Sequence, residues 1–228
     1  MHYKSIFISD VHLGTKPSKA DDLISFLRSN SADNLFLIGD IIDGWALQRR
    51  HYWKDKQTKV LRAILHYKNI IYLPGNHDDF VRPFLKQKFI LGPLKVVDQY
   101  TYYSVSGKKI FVVHGDKWDF WMKVPKKLIN FFAHFLDIYF HMPWINNARK
   151  NNQNPYLYLR TSNTERALKK YVEKNNYDFV ICGHTHIPKI ENDYMNCGDW
   201  VKHCSAILEH ENGEFELYYH GKKDTDSN

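Results

Sequence analysis

Five short runs of apolar, largely β-branched residues recur along the chain, and each leads into a short polar motif. The runs occupy residues 5–8, 35–38, 70–73, 110–113 and 179–182. None of them alternates between apolar and polar positions, which is typical of strands buried on both faces, as in a sheet covered by helices. Between the strands, apolar spacing predicts helices at residues 20–28 and 56–68. The pattern therefore predicts an α/β fold with polar residues at the strand ends, where open sheets place their sites.

The C-terminal part of the chain has a different pattern. Apolar runs at residues 206–208 and 214–218 flank Asn212-Gly213, which predicts a hairpin with its turn at Asn-Gly. Because the sequence has no internal repeat and no Pro/Gly/Ser-rich linker, we predict one domain over residues 1–228. Residues 118–176 are predicted to form a helical insertion within it. The apolar stretch 128–145 suits a buried helix, a lid over an apolar ligand, or an interfacial helix on a membrane.

Composition restricts the class of protein. Of the 228 residues, 43% are hydrophobic, 25% are charged and 15% are aromatic, which excludes a disordered, collagen-like or low-complexity chain. Three cysteines without a C-x-x-C pair argue against a disulfide framework and favour a reducing compartment. The N-terminal residues are typical of a strand rather than a signal peptide, and no apolar stretch is long enough to cross a membrane. We therefore expect a cytoplasmic protein.

The net charge of +7 is unevenly distributed. Residues 117–174 contain eleven Lys or Arg and four Asp or Glu, so this segment carries the whole excess, and it also holds twelve aromatic residues. A basic, aromatic-rich block in an otherwise neutral chain indicates an acidic partner, namely nucleic acid, a phosphorylated metabolite or an anionic membrane. A solvated helical surface is the alternative interpretation.

The polar motifs at the strand ends carry candidate metal ligands. A single histidine after a strand is more often structural, but side chains at neighbouring strand ends converge in space. A buried set of carboxylates and imidazoles is costly without a cation. Two ions about 3.5–4 Å apart that share a carboxylate stabilise the attacking and leaving oxygens of phosphoryl transfer. The sequence therefore predicts a dinuclear metal site. Its candidate ligands are Asp10, His12, Asp40, Asn76, His114, His184 and His186.

Over residues 5–187 the chain resembles the calcineurin-like metallophosphoesterase superfamily. The motifs that carry the resemblance are Asp10-x-His12, Gly39-Asp40-x-x-Asp43, Gly75-Asn76-His77-Asp78, His114 and Gly183-His184-x-His186. It implies an α/β four-layer β-sandwich flanked by helices. It also implies a ligand assignment in which Asp40 bridges two ions, the first held by Asp10, His12 and His186 and the second by Asn76, His114 and His184.

The resemblance also implies a mechanism, in which a metal-bound hydroxide attacks phosphorus in line. His77 would donate a hydrogen bond or a proton at the transition state, and Asp43 would orient it; a turn residue at the strand end is the alternative role for Asp43. We expect Asp78 and Asp116 to be structural acceptors. Oxygen and imidazole ligands without thiolate suit Mn²⁺, Fe²⁺ or Zn²⁺, and the resemblance favours manganese.

More narrowly, the chain resembles the UDP-2,3-diacylglucosamine pyrophosphatase group of lipid A biosynthesis. The resemblance lies in residues 39–45 and 75–80, in the aromatic insertion, and in Gly198-Asp199-Trp200. It implies cleavage of the diphosphate to UMP and a diacylglucosamine 1-phosphate. An apolar groove with a charged rim in the insertion would hold the acyl chains and the phosphates, and the anionic inner membrane is an expected partner. Candidate substrate-binding residues are Trp45, Arg49, Lys123, Lys127, Phe131, Phe135, Arg149 and Arg160.

Two alternatives remain open. Characterised members of that group carry Arg where this chain has His77, so a paralogue acting on another nucleotide diphosphate, a cyclic nucleotide or nucleic acid is one alternative. Nucleic acid would explain the basic block through phosphate contacts and stacking, but the apolar residues of 128–145 are not interleaved with Lys or Arg, which argues against it. The other is a non-catalytic scaffold with the same fold. The presence of all seven ligands and His77 argues against that.

Overall fold

The apolar runs of the sequence form the central strands of two sheets. The computed structural model describes residues 1–87, 90–120 and 155–221. In the described part, the strands are β1 (His2–Ile8), β2 (Ser31–Ile38), β3 (Ile70–Leu73), β4 (Ile90–Leu91), β5 (Leu94–Val96), β6 (Tyr100–Tyr103), β7 (Lys109–Val112), β8 (Phe179–Cys182), β9 (Lys189–Ile190), β10 (Tyr194–Asn196), β11 (Ser205–Glu209) and β12 (Phe215–Tyr219). The α-helices are α1 (Ala20–Ser29), α2 (Gly44–Arg49), α3 (Asp55–Ile64) and α4 (Pro155–Lys174). Two 3₁₀ helices span Asp79–Gln87 and Asp116–Trp118.

The order of the strands places all five polar motifs at one edge of the molecule. The first sheet has the order β12-β11-β1-β2-β3-β5-β4, and β1, β2 and β3 are parallel. The second has the order β6-β7-β8-β10-β9, with β7 parallel to β8. Because parallel strands end on the same side of a sheet, the loops after β1, β2 and β3 leave together, as do those after β7 and β8.

The two sheets pack face to face with helices outside them. Phe7 and Phe36 stack between the sheets with ring centroids 4.5 Å apart, in a core that also contains Ile110 from the second sheet. Helices α1 and α3 cover the outer face of the first sheet. Helix α4 packs on the second sheet, where Leu168 is fully buried. The four layers confirm the α/β sandwich flanked by helices.

The structure corrects one detail of the predicted burial. The five apolar runs are buried strands, as predicted, but one of the layers that cover them is the opposite sheet rather than a second layer of helices. An apolar run does not reveal which kind of element packs on it.

Helix α3 ends at Ile64, earlier than the predicted residue 68. The hairpin of β11 and β12 turns at Asn212-Gly213 as predicted, and Gly213 adopts a φ of +84°.

A buried polar contact joins the two sheets away from the strand ends that carry the motifs. Tyr102 on β6 donates a hydrogen bond to Oε2 of Glu209 on β11, and its hydroxyl lies 2.8 Å from Oγ of Ser5 on β1. The amide of Val105 donates to Oε1 of Glu209 at 2.8 Å. Both carboxylate oxygens of a fully buried glutamate are therefore satisfied.

Most of the predicted insertion lies outside the described residues, which include only 118–120 and 155–176 of it. The lid and the single-domain organisation therefore stay predictions. None of the described helices is both long enough and apolar enough to span a bilayer.

Candidate metal centre

The two sheets together bring every candidate ligand to one place. The first sheet supplies Asp10 and His12 after β1, Asp40 and Asp43 after β2, and Asn76 and His77 after β3. The second sheet supplies His114 after β7, and His184 and His186 after β8. A cavity of about 210 Å³ is lined by Asp40, Asn76, His77, Thr161, His184, Thr185 and His186.

The backbone at these strand ends is strained. Five of the candidate ligands have positive φ angles, which L-residues rarely adopt: Asp10 (53°), His12 (50°), Asp40 (54°), His184 (66°) and His186 (58°). Such conformations cost of order 1–3 kcal/mol each and concentrate at functional sites. This backbone conformation turns the side chains that follow each strand towards a common centre.

Two glycines allow the ligand loops to approach closely. Gly39 has a φ of +73°, and a Cβ atom there would lie 2.4 Å from Nδ1 of His114. A Cβ atom on Gly75 would lie 2.2 Å from Oδ1 of Asp40. Because real Cβ atoms do not come that close to other heavy atoms, any side chain at either position would displace a candidate ligand.

The candidate ligands form two groups. Asp10, His12 and His186 each place one ligand atom within 4.8 Å of the other two, and Oδ1 of Asp10 lies 3.1 Å from Nε2 of His186. The second group consists of Asp40, His114 and His184, whose ligand atoms also lie within 4.8 Å of one another.

Asp40 lies between the two groups. Its Oδ2 is 3.4 Å from Nε2 of His114 in the second group and 4.0 Å from Nε2 of His12 in the first. This is the position that a bridging carboxylate would occupy.

The site has buried polar atoms that require a partner. Within the described part of the chain, Oδ1 of Asp10, Nε2 of His12, Oδ1 of Asn76 and Nε2 of His114 are buried and accept or donate no hydrogen bond. Leaving such atoms unsatisfied costs free energy. Divalent cations that prefer oxygen and imidazole ligands would satisfy all four. The residues present therefore fit a metal site.

The electrostatics of the site favour cations. Burial on its own would raise the pKa of Asp40, but His114 and His12 lower it well below the usual range. Burial would lower the pKa of His114, but Asp40 and Asp10 raise it to about 10. Burial opposes a charge on His186 as well, and Asp10 and Asp199 raise its pKa to about 10. The charged form of Asp40 is thus favoured by the rings around it, and its carboxylate in turn favours positive charge at His114.

Asp43 contacts two histidine rings and a helix end. Its Oδ2 lies 3.0 Å from Nδ1 of His12 and 3.1 Å from Nδ1 of His77. Its Oδ1 accepts a hydrogen bond from the amide of Ala46 at 2.7 Å, so Asp43 also caps helix α2. The two roles considered from the sequence, a partner of His77 and a turn residue, are thus compatible in one side chain.

Asp78 and Asp116 are structural acceptors, as expected. Asp78 accepts hydrogen bonds from Tyr72 and from the amides of Ile41 and Gly75, and it is fully buried. Asp116 pairs with Arg82 at 2.6 Å.

Two threonines that sequence reasoning did not single out line the cavity. Thr185 stands between His184 and His186, so the motif itself could have indicated it. Thr161 comes from helix α4, and no sequence signal connects it to the site.

The predicted substrate-binding residues are only partly described. The indole ring of Trp45 lies 4.4 Å from the ring of His77 between centroids and is 37% exposed. Arg49 is exposed at the end of helix α2. Arg160 lies on helix α4, and its side chain is outside the described part. The remaining candidates lie outside the described residues: Lys123, Lys127, Phe131, Phe135 and Arg149.

Comparisons with known proteins agree with this geometry. The family model for calcineurin-like phosphoesterases matches residues 3–188. A protein named UDP-2,3-diacylglucosamine hydrolase from Wigglesworthia glossinidia brevipalpis is 27% identical over 82% of this chain and 80% of its own length. A protein of the same name from Blochmanniella floridana is 27% identical over 94% of this chain and 96% of its own. One solved crystal structure, 13% identical, superposes with a TM-score of 0.54 over 96% of this chain and 99% of that one, which supports the fold. This chain belongs to the calcineurin-like phosphoesterase family, and it is a metal-dependent hydrolase.

Proposed function

We propose that the protein hydrolyses the diphosphate of UDP-2,3-diacylglucosamine to UMP and 2,3-diacylglucosamine 1-phosphate. The observation that carries the proposal is the match to hydrolases of that name over nearly the whole of both chains, 94% and 96% in one case. The clustering of the candidate ligands supports it, with four of them lining one cavity, because a phosphoanhydride is a substrate that such a centre can cleave.

The ligands divide between two metal ions. In this proposal Asp10, His12 and His186 hold one ion, Asn76, His114 and His184 hold the other, and Asp40 contributes to both. Bound divalent cations would supply an activated water nucleophile and would neutralise phosphate charge. The carboxylate, amide and imidazole donors suit Mn²⁺, Fe²⁺ or Zn²⁺, and manganese is the proposed metal because the family resemblance favours it.

His77 is the proposed hydrogen-bond or proton donor. It is half-buried in the cavity wall, and its Nδ1 faces Asp43, which leaves Nε2 for a phosphate oxygen. Burial would lower the pKa of His77, but Asp43, Asp40 and Asp10 raise it above its usual value. A cationic imidazole in this position donates to a phosphoryl oxygen or to the leaving group. Asp43 fixes the orientation of the ring.

The remaining parts of the proposal concern the substrate and its location. Trp45 beside His77 offers an aromatic face to the nucleotide or the sugar. The basic, aromatic segment 118–176 would act as a lid that holds the acyl chains and the diphosphate. Its positive charge would also favour peripheral binding to the cytoplasmic face of an anionic inner membrane.

The test is a hydrolysis assay with purified protein and added Mn²⁺. The substrates are UDP-2,3-diacylglucosamine, bis-p-nitrophenyl phosphate and a single-stranded oligonucleotide. We expect release of UMP from the lipid, loss of this activity in His114→Ala, and normal activity in His66→Ala, a matched control at an exposed histidine. Turnover of the generic diester or the oligonucleotide without the lipid would contradict the substrate. No turnover of any of them would favour the non-catalytic alternative.

A further inference from the structure

Two of the candidate histidine ligands, His12 and His114, each have Nδ1 within hydrogen-bond distance of a protein oxygen. Nδ1 of His114 lies 2.8 Å from the carbonyl of Ile38, and Nδ1 of His12 lies 3.0 Å from Asp43. His186 faces a carboxylate on both sides, with Nε2 3.1 Å from Oδ1 of Asp10 and Nδ1 3.8 Å from Oδ2 of Asp199, so its contacts do not select one tautomer. An oxygen acceptor at one nitrogen fixes the tautomer and leaves the other nitrogen with its lone pair for a metal. For His12 and His114 the ligand atom is therefore Nε2.

His184 has the opposite arrangement. Its Nε2 lies 2.9 Å from Oδ2 of Asp119. Both side chains are deeply buried, with 4% of His184 and none of Asp119 exposed. An ionised carboxylate can only accept a hydrogen bond, so the proton of the neutral ring is held on Nε2. The lone pair is then on Nδ1, which is the atom that would join Asp40 and His114 in the second group.

The loop that carries Asp119 also carries another ligand. It leaves β7 at His114, turns at Gly115 with a φ of +116°, and forms the 3₁₀ helix Asp116–Trp118. The amide of Asp119 donates to the carbonyl of Asp116 at 3.1 Å, and the side chain of Asp116 is tied to Arg82. This anchored loop thus supplies His114, a ligand of the second group. It also supplies the carboxylate of Asp119, which contacts His184 of the same group.

We propose that Asp119 is the positioning residue of the second metal site, and that it acts by holding His184 in the Nε2-protonated tautomer. The inference rests on the metal ligands of the proposed function and does not depend on the substrate. It gives His184 the opposite ligand atom to His12 and His114, namely Nδ1.

The first test is the tautomer itself, which needs no variant of Asp119. Long-range ¹H–¹⁵N NMR of the metal-free wild-type protein, at a pH where the ring is neutral, reports which nitrogen carries the proton. The His184 signals are assigned by their loss in His184→Gln. We expect the proton on Nε2. A proton on Nδ1 would overturn the proposal.

The second test measures the two metal affinities separately, by Mn²⁺ titration with calorimetry and electron paramagnetic resonance. Asp119→Asn keeps the shape, but its amide can donate to Nε2 and so favour the wrong tautomer. We expect the affinity of one Mn²⁺ site to fall about 10–100-fold while the other is retained. Asp33→Asn, which removes an exposed carboxylate paired with Lys4 at the opposite end of β2 from the site, is the control and should bind as the wild type does.

The outcomes separate this inference from the proposed function. Two intact sites in Asp119→Asn, or equal weakening of both, would overturn the role of Asp119 and leave the ligand set standing. A wild-type protein that binds no Mn²⁺ would overturn both. One weakened site in Asp119→Asn, together with a wild-type protein that binds Mn²⁺ but fails to hydrolyse the lipid, would support Asp119 and contradict the substrate.

Discussion

His12 and His77 share one carboxylate oxygen, because Oδ2 of Asp43 lies 3.0 Å from Nδ1 of the first ring and 3.1 Å from Nδ1 of the second. His12 is a candidate metal ligand, whereas His77 is the candidate donor to the substrate. Asp43 therefore connects the metal site to the group proposed to complete the reaction. Removing Asp43 should affect both metal binding and donation to the substrate, whereas removing His77 should affect only donation to the substrate.

Asp43→Asn and His77→Ala should accordingly differ in metal binding. We expect Asp43→Asn to lower Mn²⁺ affinity about tenfold, since it frees the His12 ring, and to lower kcat as well. His77→Ala should lower kcat about 10²–10⁴-fold and leave Mn²⁺ affinity unchanged. Calorimetric titration with Mn²⁺ and steady-state kinetics on the same preparations measure the two effects. Equal metal affinity in both variants would contradict the shared role of Asp43.

Gly75→Ala should disrupt the metal centre. The new Cβ atom would lie 2.2 Å from Oδ1 of Asp40 and 2.7 Å from Nε2 of His114, so both side chains must move. We expect loss of tight Mn²⁺ binding and a stability decrease of about 1–3 kcal/mol in urea unfolding. Gly107→Ala is the control, because no described heavy atom lies within 4 Å of its Cβ position. Strain from its φ of +79° should cost stability but leave metal binding intact.

Chelation of the metal should lower thermal stability. The site contains buried oxygens without a hydrogen bond, Oδ1 of Asp10 and Oδ1 of Asn76, which would gain a partner when a cation binds. At a free Mn²⁺ concentration one hundred times Kd, a single site stabilises the folded state by about 2.7 kcal/mol. Thermal unfolding should therefore shift to a lower Tm with EDTA and recover when Mn²⁺ is returned in excess. A Tm that does not respond to either treatment would mean that the described ligands hold no cation.

Tyr102→Phe should lower stability without changing catalysis. The variant removes the hydrogen bond to the fully buried Glu209, whose Oε2 is left without that donor. A buried acceptor deprived of its partner costs about 1–3 kcal/mol. Urea unfolding measures the loss, and Tyr103→Phe at the exposed neighbour should show almost none. A fall in kcat or Mn²⁺ affinity would contradict the view that this contact serves only to join the sheets.

Much of the fold follows from the sequence, because residues such as Ile6, Ile71 and Ile181 lie in uninterrupted apolar runs. The division into two sheets does not follow from the runs themselves. Phe36 faces the other sheet and Leu37 faces the helices, but both are simply apolar in the sequence. The family resemblance predicted the β-sandwich, which the periodicity of apolar residues could not predict.

The candidate ligands could be found because the short spacing of each motif fixes them to a strand end. Asp119 could not, because its spacing from His114 forms no recognisable motif. It contacts His184 only after two strands of the second sheet have paired. Thr161 has the same difficulty, since a threonine on a long helix has no distinctive chemistry. Contacts that depend on the packing of distant segments leave no local pattern in a sequence.

The division of the ligands between the two sheets has a consequence for how the protein acquires its metal. A folding intermediate with only the first sheet formed would possess Asp10, His12, Asp40 and Asn76, but none of the three histidines from β7 and β8. Such a partial set would hold a divalent ion weakly, so metallation should come after the sheets have docked. Because each bound ion would have ligands from both sheets, the sheets could not separate without releasing the ions.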